Sequence, residues 1–336
     1  MAQEARSASE VVAGQLAQDE PIYEQLGARL RAAPPPCAVT VARGSSDHAA
    51  AYLAYLVTSQ LGHPVASLPP SVVTLYDAPL KMAGSLAIAV SQSGQSPDVV
   101  STLAACGAAG ALTAAMVNVT DSPLSGVAGC TLPLRAGTER SVAATKSFIA
   151  SLSAMVRLVA GWREDAALIE ALGALPRALE AACDSDVRPL VDALVGARGL
   201  LVLGRGPGFA VALEAALKLK EVCSIQAEAF TEAEVRHGPM ALIDEELPLL
   251  VFAPRGPAQA RLVRLAKEFR LLGAQVLLVG PPSLRGADLV VPEAPHELLD
   301  PLCQIQTFYL AAAALAEARG LDPDAPRGLA KVTRTL

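Results

Sequence analysis

Residues 85–100 read SLAIAVSQSGQSPDVV and place a strand, a turn and the start of a helix in direct succession. The apolar run up to Val90 is typical of a strand that is buried on both faces of a parallel sheet. Ser96 and Pro97 suit the first positions of a helix, because serine can cap free amide groups and proline has no amide to leave unbonded. This order of elements predicts an α/β fold.

The same order recurs along the chain. Further apolar runs lie at residues 37–42, 112–119, 199–204, 247–254 and 274–280. Gly44 follows the first run of one half of the sequence and Gly204 ends the first run of the other half, 160 residues apart (204 − 44). We therefore predict two tandem domains of one kind, each a doubly wound parallel sheet flanked by helices. Two unrelated α/β domains with a similar rhythm are the alternative.

The predicted domain organisation follows from these runs and from the segments between them. Three consecutive prolines, Pro34 to Pro36, cannot continue a helix and end the N-terminal helical segment. We predict five parts: an N-terminal helix and proline linker at 1–36, a first domain at 37–160, connecting helices at 161–192, a second domain at 193–325 and a C-terminal tail at 326–336.

The composition of the 336 residues argues against several classes of protein. The formal net charge is −6 and no basic stripe is visible, which disfavours a nucleic-acid partner. No uninterrupted apolar run reaches 18 residues and the first ten residues lack a secretory pattern, so we expect no membrane association. Six cysteines without paired or metal-finger spacing fit a reducing compartment. We predict a cytoplasmic protein without a structural metal or cofactor.

The turn in SQSGQSPD is a candidate anion site. Ser91, Ser93 and Ser96 offer hydroxyl groups beside the free amides at the start of a helix, and Gly94 lets the backbone approach a ligand closely. Loops that follow the strands of an open α/β sheet are also where such proteins bind ligands. A phosphate group fits this site. The alternative is a capped turn whose serines satisfy only their own backbone.

A second group of polar residues lies on a predicted helix. Glu214, Lys218 and Glu221 are spaced by four and three residues, which places them in one stripe on a mostly apolar helix. Buried charges must be paired with opposite charges or serve in catalysis, so the stripe is either a structural salt bridge ladder or part of an active site. His237 precedes a Gly-Pro break that places the imidazole at a turn.

Six motifs occur in one order from residue 43 onward: RGSSDHA, SQSGQSPD, TERSVAATKSF, ALKLKEVCSIQAEAF, EVRHGPMALID and PRGLAKVTRTL. Because of these motifs and their order, the sequence from residue 37 to the C-terminus resembles the SIS, or sugar isomerase, domain proteins. It is most similar to the isomerase half of glucosamine-6-phosphate synthase and to the synthase-like glucosamine-6-phosphate deaminases.

The resemblance implies roles for individual residues. It implies that the sugar phosphate is held by Ser46, Ser91, Gln92, Ser93 and Ser96. It also implies that Val142 lies beside the sugar. Ala144 stands where the synthase has serine, a departure that affects one expected contact to a sugar hydroxyl.

The same resemblance implies the catalytic residues. Glu221 would move the proton between C1 and C2, and an apolar setting would raise its pKa toward neutrality. His237 would reach in from a partner subunit and assist ring opening, and Lys218 would support the network. Lys331 would face the carbonyl carbon, either as a Schiff base or as a group that only fixes the open-chain sugar. These roles imply a homodimer with active sites at the interface.

The synthase carries a glutaminase domain with a cysteine after the initiator methionine, whereas this sequence begins Met1, Ala2, Gln3. We therefore expect the degradative direction, from glucosamine 6-phosphate to fructose 6-phosphate and ammonia. The substrate class is a phosphorylated amino sugar or ketose. Alternatives are a ketose–aldose isomerase, a fructosamine-phosphate deglycase, an aminotransferase homologue without the glutaminase, or a non-catalytic sugar-phosphate sensor. A sensor would not need Glu221, His237 and Lys331 together.

Overall fold

The structure is a computed structural model that describes residues 1–331. Within these residues the chain forms two compact units, each assembled from separate parts of the sequence. The first unit comprises Glu10–Glu139 and Ser147–Gly173. The second unit comprises Met1–Ser9, Arg140–Lys146 and Ala174–Lys331. The last five residues of the tail predicted at 326–336 lie outside the described residues.

The N-terminal segment, which the sequence predicts as one helix, contains three. They are Ala2–Arg6 (α1), Ala8–Leu16 (α2) and Glu20–Ala32 (α3). Asp19 has a left-handed backbone (φ 61°) immediately before α3, which interrupts the right-handed helical geometry. α3 ends before Pro34, as the proline run predicts.

The first unit is built on a parallel five-stranded sheet. Its strands are Ala38–Val41 (β1), Val65–Ser67 (β2), Leu86–Ser91 (β3), Leu112–Val117 (β4) and Cys130–Pro133 (β5). They are ordered β2-β1-β3-β4-β5. β3 lies between β1 and β4 and all its residues are buried, as its apolar run predicts. Because these three strands are parallel, the loops that follow them leave one edge of the sheet.

Helices connect these strands and cover the sheet. They are Ser45–Leu61 (α4), Ser71–Thr74 (α5), Pro97–Ala108 (α6), Pro123–Val127 (α7) and Lys146–Arg163 (α8), followed by Ala166–Ala182 (α9), which continues into the second unit. Val99 and Leu103 of α6 pack on Ala87 and Ala89 of β3 in one apolar cluster. This packing fixes the start of α6 at the edge where β3 ends.

The second unit repeats the sheet architecture. Its strands are Gly199–Gly204 (β6), Gln226–Thr231 (β7), Leu249–Phe252 (β8), Val276–Gly280 (β9) and Leu289–Val290 (β10). They are parallel and ordered β10-β9-β8-β6-β7, which is the order of the first sheet when read from β7. Two doubly wound parallel sheets confirm the predicted α/β class.

The helices of the second unit include one that is almost fully buried. Its helices are Arg188–Leu194 (α10), Pro207–Cys223 (α11), Gln259–Leu271 (α12) and Asp300–Ala318 (α13), with short 3-10 helices at Glu234–His237, Pro239–Leu242 and Glu297–Leu299. The segment Glu297–Ala318 is long and apolar enough to cross a membrane by its length and composition, but 89% of its most apolar 18-residue stretch is buried inside the protein. Such burial is typical of a core helix.

Equivalent glycines precede the long helix of each sheet. Gly44 before α4 has φ 53° and ψ −134°, and Gly206 before α11 has φ 59° and ψ −139°. Both values lie in a region that favours glycine. Gly206, rather than the predicted Gly204, is therefore the conformational counterpart of Gly44.

Candidate functional site

The residues proposed for the site fall into two groups that belong to different units. Ser46, Ser91, Gln92, Ser93 and Ser96 lie in the first unit, at the edge of the sheet where β1 and β3 end. The proposed acid, base and sugar-binding residues belong to the second unit.

The serines after β3 use part of their hydrogen-bonding capacity on the loop itself. Ser91 Oγ accepts from the Gly94 amide (3.0 Å) and Ser93 Oγ accepts from the Gln95 amide (3.2 Å). Ser96 is the N-cap residue of α6 but its side chain makes no capping bond. A hydroxyl that accepts still has a proton to donate, so Ser91 and Ser93 can also donate to a bound anion.

Gly94 packs the loop tightly against the segment after β4. Its φ is +64°, and a Cβ at this position would lie 2.7 Å from Ser122 Cβ and 3.0 Å from Val117 Cγ2. Its carbonyl accepts from the Leu124 amide at the start of α7 (3.2 Å). The loop therefore needs glycine both for its backbone angle and for this close approach.

Ser46 lies in the first turn of α4, half-buried, after the neighbouring strand β1. A salt bridge joins this loop to the one after β3, because Arg43 Nε donates to Asp98 Oδ2 (2.9 Å) in the first turn of α6. Asp98 is almost fully buried, whereas the Arg43 side chain is 52% exposed. Asp98 is not among the site residues proposed from the sequence. Its pairing with Arg43 was missed, although Arg43 flanks the GSS motif.

In the second unit, Glu214, Lys218 and Glu221 of α11 form one connected array. Lys218 Nζ lies 3.4 Å from Glu214 Oε1 and also bonds Glu221 Oε2. The Glu214 and Lys218 side chains are 0% and 1% exposed, and Glu221 is 22% exposed. Burial lowers the pKa of the Lys218 ammonium, but the charges of Glu214 and Glu221 outweigh burial and raise it above its usual value. The array therefore holds a buried cation between two carboxylates, of which only Glu221 reaches the surface.

This array differs from the apolar setting expected for Glu221, because an ammonium group contacts its carboxylate. Sequence reasoning also missed a fourth member. Tyr309 of α13, fully buried, donates from its hydroxyl to Glu214 Oε1 (3.1 Å). The two residues are 95 positions apart, and an isolated tyrosine in an apolar helix gave no signal of the contact.

His237 occupies the last position of a 3-10 helix and is exposed. Its neighbours anchor this turn: Val235 is fully buried, and Arg236 forms two hydrogen bonds to Glu268 of α12 (2.9 and 2.6 Å). Within residues 1–331, no hydrogen bond or ion pair joins His237 to the array on α11. The turn thus presents the imidazole outward.

The remaining proposed residues meet at the segment 140–146. Lys331 Nζ donates to the Ser141 carbonyl (2.7 Å), and the Val142 amide donates to the Asp324 carbonyl (3.3 Å). Val142 and Ala144 are half-buried. The proposed sugar-binding segment and the proposed lysine therefore lie together.

Glu4 of α1 anchors the same segment. Its carboxylate oxygens accept from the amides of Arg140 (2.6 Å) and Ser141 (3.0 Å). The sequence offered no signal for this role, because 136 residues separate Glu4 from Arg140.

Comparison with known proteins identifies the family. The family model described as SIS domain matches residues 37–160 and 193–281, more than half of the chain. The isomerizing glutamine–fructose-6-phosphate aminotransferase of Zymomonas mobilis subsp. mobilis (strain ATCC 31821 / ZM4 / CP4) is 35% identical over 276 residues, which cover 76% of this chain and 45% of that protein. The chain spans about half the length of the curated relatives it matches.

Solved structures show the same fold over nearly the whole chain. A crystal structure of a candidate phosphosugar isomerase from Silicibacter pomeroyi DSS-3 is 42% identical, with a TM-score of 0.88 and coverage of 96% of this chain and 99% of that one. Glucosamine-6-phosphate deaminase from Thermotoga maritima is 23% identical, with a TM-score of 0.73 and coverage of 98% and 100%, a likeness of fold alone. With the family model matched at both parallel sheets, the chain belongs to the SIS domain family.

Proposed function

We propose that this protein is a sugar-phosphate isomerase that deaminates glucosamine 6-phosphate to fructose 6-phosphate and ammonia. The observation that carries the proposal is the array on α11, where a carboxylate that reaches the surface is backed by a buried ammonium group. A buried Glu–Lys–Glu array costs desolvation energy that an apolar core would avoid. Its outward carboxylate is suited to taking and giving a proton.

The substrate class is supported by the loop after β3. Ser91, Ser93 and Ser96 lie in the segment that leads from β3 into α6, and at the start of α6 backbone amides and the helix dipole favour an anion. Gln92 and Ser46 complete the proposed phosphate site. The tight packing around Gly94 limits the conformations open to this loop, which lowers the entropy lost on binding.

The proposed reaction is an internal proton transfer followed by hydrolysis. The amino sugar opens to its aldehyde, Glu221 removes the proton from C2, and C1 receives it, so that the C2 amine becomes an imine. Water adds to the imine carbon and ammonia leaves, giving the 2-ketose phosphate. One water is consumed and no electrons are exchanged with another molecule.

Four further residues have proposed roles in these steps. His237 assists ring opening, and Lys331 either binds the carbonyl carbon covalently or fixes the open chain. Val142 lines the sugar, and Ala144 leaves one sugar hydroxyl without a side-chain partner. The outward position of His237 fits a role in the site of a second subunit, so we propose a homodimer.

The cellular setting and the origin of the fold are also proposals. All six cysteines are free thiols, which fits the cytoplasm. The shared strand order and the matching angles of Gly44 and Gly206 support an internal duplication.

The test is ammonia release from a panel of hexosamine 6-phosphates, with ketose formation measured in parallel. Equal amounts of both products from glucosamine 6-phosphate are expected, with little turnover of unphosphorylated glucosamine. Glu221→Gln should abolish turnover and leave ligand binding near its original strength, while Glu246→Gln, on an exposed loop, serves as the control. Interconversion of a ketose and an aldose phosphate without ammonia would instead identify a ketose–aldose isomerase.

The proposed dimer has its own test. Inactive Glu221→Gln and His237→Ala subunits, when mixed and allowed to exchange, should regain about a quarter of the wild-type activity if each site uses one residue from each chain. A mixture that stays inactive would place both residues in one chain's site.

A further inference from the structure

The proposed mechanism leaves one buried contact unused. Tyr309 and Glu214 are both fully buried, and the tyrosine hydroxyl donates to Glu214 Oε1 at 3.1 Å. The same carboxylate oxygen lies 3.4 Å from Lys218 Nζ. Glu214 Oε1 is therefore contacted by at least two donor groups, and the Tyr309 hydroxyl makes the shorter of these two contacts.

Lys218 is shared unequally between its two carboxylates. Its distance of 3.4 Å to Glu214 exceeds the usual length of a charge-assisted hydrogen bond, whereas its ammonium group donates a hydrogen bond to Glu221 Oε2. A buried carboxylate that lacked any other donor would attract this ammonium group strongly. The Tyr309 hydroxyl meets part of that demand.

We propose that Tyr309 is a positioning residue, whose hydrogen bond to Glu214 keeps the Lys218 ammonium group on Glu221. The inference rests on the proposed function, in which Glu221 transfers the proton. Tyr309 does not touch the substrate. It acts through Glu214 and Lys218, and thereby fixes the rotamer and charge of the group that does.

Tyr309→Phe removes only the hydroxyl. Glu214 loses that donor and competes more strongly for Lys218, so the hydrogen bond between Lys218 and Glu221 weakens. The loss of this hydrogen bond to a charged group should lower the kcat of the variant by roughly tenfold to a hundredfold. KM should stay within about twofold, because the phosphate site lies on another part of the chain.

The matched control is Tyr23→Phe. Tyr23 is also buried, and its hydroxyl has no hydrogen-bond partner among the described residues. The same chemical change at this position should leave kcat and KM unaltered.

A double variant separates positioning from simple structural support. In Tyr309→Phe with Glu214→Gln, the competing negative charge is gone, so Lys218 can return to Glu221. We expect kcat to rise above that of Tyr309→Phe alone. A structural role for the hydrogen bond would instead make the double variant equal to or worse than the single one, and that result would overturn the proposal.

Crystal structures of the wild type and of Tyr309→Phe provide a readout that needs no substrate. We expect Lys218 Nζ to move from Glu221 toward Glu214 in the variant. An unmoved Nζ overturns the inference whatever the enzyme turns over. Should Tyr309→Phe fail to fold, Tyr309→Met, which also lacks the hydroxyl, takes its place in both measurements, with the same expected movement of Lys218 Nζ and the same overturning result.

The two proposals fail differently. Absence of turnover with every hexosamine phosphate counts against the proposed function, while the position of Lys218 Nζ still decides the role of Tyr309. An active wild type with unaltered kcat in Tyr309→Phe counts against the positioning role alone.

Discussion

Replacement of Gly94 by alanine tests whether the loop after β3 is held by close packing. The new Cβ would lie 2.7 Å from Ser122 Cβ, a separation that requires the loop or its neighbour to move. Two effects add: a non-glycine residue at positive φ costs about 1–2 kcal/mol, and overpacking costs about 1–3 kcal/mol. We expect a total loss of roughly 2–5 kcal/mol in the free energy of unfolding.

Gly84→Ala is the matched control. Its φ is +76°, close to the +64° of Gly94, but no atom lies within 4 Å of its added Cβ. It should therefore show only the backbone cost, about 1–2 kcal/mol. The difference between the two variants isolates the steric part.

The sequence contains one tryptophan, Trp162, which makes the assay specific. Trp162 is buried in the first unit and stacks on His63, with ring centroids 5.1 Å apart. Its fluorescence during urea unfolding reports the unit that contains both glycines. Equal losses in Gly94→Ala and Gly84→Ala would refute the close packing, and an unchanged KM for the sugar phosphate in Gly94→Ala would refute the role of the loop in binding.

Two further predictions concern the second unit. Lys218→Met leaves two carboxylates without their cation and should lower the free energy of unfolding by about 3–5 kcal/mol. The control Lys220→Met, at an exposed position of the same helix, should change it by less than about 0.5 kcal/mol. Circular dichroism during urea unfolding measures both values, and a small loss for Lys218→Met would contradict a buried charged array. The raised pKa of Lys218 means that its contribution is complete below pH of about 10.4 and is lost as pH rises through the folded value. Glu268→Gln should cost less than about 1 kcal/mol because the Arg236 pair is exposed. Its hydrogen bond to Arg236 lowers the pKa of Glu268, so that stability is present above about pH 4.3 and lost as pH falls through the lower folded value; a variant whose acid unfolding matches the wild type at every pH would exclude the contribution.

The central strands could be predicted because each is a local apolar run. β3, β6 and β9 coincide closely with the predicted runs, and their residues are buried or nearly so. The strands that were missed are those at the sheet edges, such as β2 and β10, which are short and partly exposed. An edge strand has only one neighbour and needs no continuous apolar run, so its sequence carries a weak signal.

The site divides in a similar way. The order of the motifs indicated the residues proposed for phosphate binding and proton transfer, because each motif is contiguous in the chain. Their supporting contacts could not be inferred, because Asp98 pairs with Arg43 across two loops and Glu4 binds the amides of Arg140 and Ser141. Such contacts depend on how separate elements pack.

The sequence by itself determined the α/β class, the turn that opens α6 and the stripe of charges on α11, since each depends on residues within one or two turns of the chain. Only the tertiary structure decided that the stripe is buried, that Lys218 donates a hydrogen bond to Glu221, and that the Tyr309 hydroxyl donates one to Glu214. The physical reason is distance along the chain. A helix period records which side chains share a face, whereas the partner that a buried charge finds on another helix is set by packing between elements far apart in sequence.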